Sequence, residues 1–87
     1  MKICKLTVTG TVLNVYEYFR KENNVPTDEK RAVIDVYQPT GIVSVRIYDP
    51  VKVFESCKPV KGQVLSIACS LFCDQENKPF FAGYAIE

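Results

Sequence analysis

Apolar and polar residues alternate most sharply between Arg31 and Tyr48, RAVIDVYQPTGIVSVRIY. Ala32, Ile34 and Val36 interleave with Arg31, Val33, Asp35 and Tyr37, and Val43, Val45 and Ile47 interleave with Ser44, Arg46 and Tyr48. Pro39-Thr40-Gly41 stands between the two runs, and these are turn-forming residues. A period of two on either side of such a trio predicts a β-hairpin. Successive strand side chains point to opposite faces, so the apolar set becomes core. The opposite face carries two arginines and two tyrosines, with Val33, Asp35 and Ser44 among them.

The same reading extends to the rest of the chain. Residues 3–19 are rich in β-branched and aromatic types and predict a long first strand. Leu6 and Val8 alternate with Thr7 and Thr9 up to Gly10, after which Val12, Leu13 and Val15 fit no single register. A glycine followed by a register change predicts a bulge or bend. Residues 20–30, RKENNVPTDEK, have only Val25 as an apolar member and predict a long, mobile loop that starts with Arg20 and Lys21. Asp49-Pro50 suits a helix N-cap and first helical position, so VKVFESC reads as a short helix or irregular turn with Val51 and Phe54 on its apolar side. Residues 58–63 form a connection. Val64 to Phe72 predicts a fourth strand with Leu65, Ile67, Cys69 and Leu71 on one face. Small residues (Ser66, Ala68, Ser70) on its other face leave room for another element or a ligand. Residues 74–78 read as a polar loop, and Phe80 to Ile86 as a last strand interrupted by Gly83. No repeat or linker divides residues 1–87, which predicts one domain.

Composition narrows the function. A chain of 87 residues supports one small core, and 47% hydrophobic with 24% charged residues is ordinary for a soluble globular protein. No run approaches the roughly 20 apolar residues of a membrane span. The alternation in MKICKLTVTGTV argues against a signal peptide, so the expected location is the cytoplasm, with no membrane partner. Net charge is +1, and Lys2, Lys5, Arg20 and Lys21 outweigh Glu17 in the first 21 residues. That is a modest attraction for a polyanion. With no histidine, Cys4, Cys57, Cys69 and Cys73 leave only an all-cysteine metal site open, and they lack CxxC spacing. Cys69 falls on an apolar strand face and reads as core, so no metal, disulfide or cofactor is expected. Catalysis is not expected either: no histidine can act as a base, and the four glycines stand singly rather than forming a phosphate cradle.

The strand order resembles the OB-fold, a five-stranded Greek-key β-barrel with a short helix or turn between strands three and four. TVTGTVLNV resembles its glycine-bent first strand, KPVKGQVLSIACSLF the approach into its fourth, and PFFAGYAI its closing strand. The small single-stranded-DNA-binding proteins of bacteria, phages and mobile elements are similar in length and layout. An SH3-like or other small barrel is the alternative fold. The OB resemblance implies a binding face on strands two and three, with Tyr37, Tyr48, Arg31 and Arg46 at its centre. Tyr16 and Tyr18 would extend it from strand one, and Arg20, Lys21 and Lys78 would lie at the loop edges. Tyrosines there would stack bases at about 1–3 kcal/mol each, and the arginines would take phosphates or stack. Asp35 would pair with Arg31 or Arg46, or bind an exocyclic amine. Phe72, Phe80 and Phe81 are expected in the core or at a subunit contact. The implied function is to hold or coat single-stranded DNA in replication or transfer, as a homodimer or higher homo-oligomer, with single-stranded RNA a close variant. The other reading is a protein-interaction or assembly subunit without nucleic-acid binding. Near-neutral charge and the outward Val33 and Asp35 suit that reading.

Overall fold

The computed structural model describes residues 4–55 and 58–87. Its elements follow in the order β1 (Cys4–Glu22), β2 (Val25–Gln38), β3 (Gly41–Ile47), α1 (Pro50–Val53), β4 (Val64–Cys73) and β5 (Pro79–Ile86). The strands close a barrel in the order β1-β2-β3-β5-β4, with β3 and β5 parallel and the other pairs antiparallel. This is an all-β, OB-fold-like Greek-key barrel with a helical turn between β3 and β4.

One strand serves two parts of the ring. Residues 4–11 of β1 pair with β4, residues 11–22 pair with β2, and Thr11 is matched to both Val64 and Tyr37. The crossing needs a bare backbone. A Cβ on Gly10 would meet the Tyr37 carbonyl oxygen and the Val36 side chain. Pairing then jumps from Val12 with Val36 to Asn14 with Asp35, leaving Leu13 as a bulge. The register change expected after Gly10 is therefore present.

Residues 20–30 do not form the long loop expected of them. β1 continues to Glu22 and β2 begins at Val25, joined by Asn23-Asn24 with φ of 51° and 64°. Two positive φ values in a two-residue turn match the twist of antiparallel strands, and asparagine tolerates that conformation. The ribbon beyond the barrel buries no face, so it shows no apolar alternation. The strand ladder, the turn and a bond from Thr27 Oγ1 to the Arg20 carbonyl (2.7 Å) hold it together.

The helix also differs from expectation. It is one turn, with Asp49 Oδ1 accepting from the Lys52 amide at 3.3 Å and Pro50 at its start. Pro50 and Val53, three apart, are buried while Val51 faces solvent. The inward side is therefore shifted by one residue from the Val51–Phe54 pairing. Of the expected helical range, residues 56 and 57 lie outside the described residues.

Val12, Ile34, Val36, Val45, Ile47, Ile67 and Cys69 are fully buried, and Val8, Ala32, Val53 and Leu65 complete the core. These include most of the inward faces read from the hairpin and fourth strand; Val43 and Leu71 are half-buried. Of Phe72, Phe80 and Phe81, only Phe81 packs on this core, as does Phe54. Phe72 and Phe80 pair across β4 and β5 on the outer face, their rings stacked with centroids 5.8 Å apart.

The Cys69 thiol donates to the Ile67 carbonyl at 3.3 Å, and burial pushes its pKa from 9.0 up to about 11. The neutral thiol is thus favoured in the folded state. Its stabilising contribution is complete below pH 9 and is lost as pH rises through about 11. Denaturation midpoints should fall across that interval, less so in Cys69→Ala relative to its own neutral-pH value. In iodoacetamide labelling read by peptide mapping, exposed Cys73 should react in the native state and Cys69 only on unfolding.

Candidate nucleic-acid interface

Directly paired residues share a sheet face, so the register fixes which side chains stand together. Tyr16 of β1 lies beside Val33 of β2, Val33 beside Arg46 of β3, and Arg46 beside Ala82 of β5. Tyr18 pairs with Arg31, whose guanidinium lies 5.3 Å from the centre of the Tyr48 ring. In the next rows, Asn14, Asp35 and Ser44 follow one another, and Tyr37 faces Ile42. Tyr16, Tyr18, Tyr37 and Tyr48 are 52, 47, 52 and 45% exposed, so each offers ring surface. The expected gathering of these tyrosines on one outward face is observed. Three of them cluster at the Arg31 end, and Tyr37 stands further along β2, roughly 20 Å away at about 3.3 Å per residue.

The cations are not equivalent. Arg31 Nη2 donates to Glu29 Oε2 at 2.9 Å and Nη1 to the Tyr48 carbonyl at 2.8 Å. With its guanidinium over the Tyr48 ring, Arg31 is a clamp that fixes that tyrosine. Glu29 also approaches Arg20 (3.7 Å), which has Glu22 at 3.8 Å. Arg20 and Lys21 belong to the β1–β2 ribbon, not to a loop edge, and Lys21 has no ion-pair partner among the described residues. Lys78 sits 3.4 Å from Glu76, with both side chains mostly exposed, where such a pair contributes little. Its backbone is set by the β4–β5 turn, in which Asp74 Oδ1 accepts from the Glu76 and Lys78 amides, each at 2.9 Å.

Arg46 is the least committed arginine. Its guanidinium lies 4.2 Å from the centre of the Phe80 ring, and among the described residues no carboxylate comes within 4.0 Å of it. The expected Asp35 pairs with Arg31 or Arg46 are not formed; Asp35 instead accepts from Ser44 Oγ at 2.8 Å. Arg46 stands opposite Val33, one row away, and turns towards β5. Because β3 and β5 are paired only between 45–47 and 81–83, they leave a groove of about 360 Å³ lined by Ile42, Ser44, Arg46, Pro79 and Phe80. On the far side of the ribbon, a hydrogen bond from Lys30 (3.1 Å) and the nearby Lys58 (3.5 Å) hold the Glu17 carboxyl below its usual range. Glu17 pairs with buried Ala32 and so faces away from the tyrosines.

Phe80, with Phe72 behind it, is the member of this surface that the sequence reading missed. Adjacent phenylalanines at 80 and 81 must point to opposite faces of a strand, so one had to face outward. The available chemistry is stacking on rings, phosphate attraction by Arg46, Lys21 and Lys78, and hydrogen bonding at Ser44 and Asp35. No group of three or more His, Cys, Asp or Glu positioned to hold a metal ion occurs among the described residues, and none of their helices is long and apolar enough to cross a membrane. Comparison with protein-family models and a search of curated proteins each found no match, so the reading of this surface rests on its geometry.

Proposed function

We propose that this protein binds single-stranded DNA over the outward faces of β1, β2 and β3, and that it holds or coats the strand in DNA replication or transfer in the cytoplasm. The observation that carries this reading is the continuity of one surface. Four half-exposed tyrosines and the Arg46–Phe80 stack occupy neighbouring rows of hydrogen-bonded strands. Bases stack on the rings with little regard to identity, and the strand's phosphates meet Arg46, Lys21 and Lys78. One small domain offers few such contacts, so a homodimer or higher assembly would add avidity by placing two surfaces on one strand.

Fluorescence anisotropy with a labelled oligo-dT at low and moderate salt tests the proposal. Saturable binding that weakens as salt rises is expected, because cation–phosphate contacts release counterions. No binding at protein concentrations on the order of tens of micromolar in low salt would overturn it. Lys21→Ala should reduce the salt slope by about one phosphate contact or less, with a smaller affinity loss than a tyrosine substitution. An oligo-rU arm separates DNA from RNA preference.

A protein interface is the second reading, favoured by Ile42 at 64% exposed beside Tyr37 and by Asp35 in the middle of the surface. On that reading the oligonucleotide titration is flat.

A further inference from the structure

A second concavity lies where the tyrosine-bearing face runs into β4 and β5. It is a groove of about 330 Å³ between Tyr48 and Tyr84, with Phe72 on its wall and Ser70, Ala82 and Gly83 among its lining residues. Asp49 and Lys52 of the α1 turn stand at its rim. That volume falls at the small end of the range for pockets that enclose a compact organic group.

We propose that this groove is a slot for one unpaired nucleobase of the bound strand. The inference rests on the single-strand reading above and adds a site to it. Continuity with the tyrosine surface argues for a base over any other occupant. Tyr48 belongs to both, its ring covered by Arg31, which is not among the groove's lining residues. Phe72 belongs to the groove and stacks on Phe80, which lies under Arg46. The groove therefore meets the surface at two aromatic points. Its walls suit a flat ring. Tyr84 is the extra residue where β4–β5 pairing shifts from Ala68 with Ala85 to Cys69 with Gly83. The shift leaves Tyr84 without a β4 partner, while strand alternation keeps it on the outward side with Phe80 and Ala82, about half exposed against the groove. The floor accounts for one of the small outward residues of β4: a large side chain at Ser70 would fill the space. Ser70 Oγ can serve a base edge as donor or acceptor, and the Lys52 ammonium at the rim suits the adjoining phosphate. No described carboxylate pairs with Lys52.

Two measurements on the intact protein test this. Oligo-dT carrying 5-iodouracil, irradiated in complex and mapped by mass spectrometry, should give an adduct on Tyr84 or Phe72. Tyr84→Ala and Ser70→Leu should each weaken oligo-dT binding by about fivefold or more, the first by removing a wall and the second by filling the floor. Thermal melting of each variant confirms that it remains folded. A folded variant pair that binds like the parent, with adducts confined to Tyr16, Tyr18 and Tyr37, overturns the slot and leaves the single-strand reading standing. A parent protein that does not bind oligo-dT at all removes both.

Discussion

The double variant Tyr37→Ala/Tyr48→Ala should lose most of the affinity for single-stranded DNA while keeping the fold. Each ring contributes about 1–3 kcal/mol if it stacks one base. The two positions, on β2 and just beyond the end of β3, are roughly 20 Å apart, far enough for their effects to add. Together they predict a loss of about 2–6 kcal/mol, or roughly 30-fold to more than 10,000-fold in dissociation constant. Neither ring contributes to the core, and the bond from Arg31 to position 48 goes to the carbonyl, which alanine retains. Melting should therefore stay cooperative and close to the parent's. The check is an anisotropy titration at one low salt concentration with both singles and the double. If the double variant binds as the parent does, the tyrosines are not base platforms, even if binding itself is real.

Gly10→Ala should be the most destabilising single methyl in the chain. The added Cβ lands on a main-chain oxygen of β2 and on Val36, so backbones rather than side-chain ends must move apart. Overpacking of this kind costs about 1–3 kcal/mol, occasionally more. Small domains are stable by about 0.05–0.15 kcal/mol per residue, so the loss would be a large share of the total. At about 4–8 °C per kcal/mol for a domain of this size, the melting midpoint should drop by roughly 4–24 °C. Thr7→Ala on the same strand, at an exposed position, is the control and should stay within about 0.5 kcal/mol. Equal melting of Gly10→Ala and the parent would show that β1 does not cross β2 at that closeness.

How much of this was readable from the sequence depends on whether a segment buries a face. The 31–48 hairpin was legible because one of its faces is core, and the exposure of Tyr37 and Tyr48 follows from parity alone. The 20–30 ribbon buries nothing, so composition pointed to a loop although Asn23-Asn24 carried a hairpin turn signal. A four-residue helix is too short for periodicity to choose between Pro50–Val53 and Val51–Phe54. The clamp on Arg31 comes partly from Glu29, two positions earlier on the same strand face, and was within reach of the pattern. Arg46 over Phe80 was not, because that contact arises from parallel pairing between strands distant in sequence. Tyr84 shares the parity of Phe80 and Ala82, so its outward direction was within reach; its lack of a β4 partner was not, because that comes from a shift in register that no local run announces.

The order in which the ring closes bears on how the chain fares during synthesis. β1, β2 and β3 are successive antiparallel neighbours and can pair as soon as residues 4–47 leave the ribosome. The partners of their two borders, residues 4–11 of β1 and 45–47 of β3, lie in β4 and β5 and emerge last. Until then a three-stranded sheet with two open, valine- and isoleucine-bearing margins is a template for other nascent copies. The sooner β4 and β5 dock on these margins, the less of this template is open to aggregation.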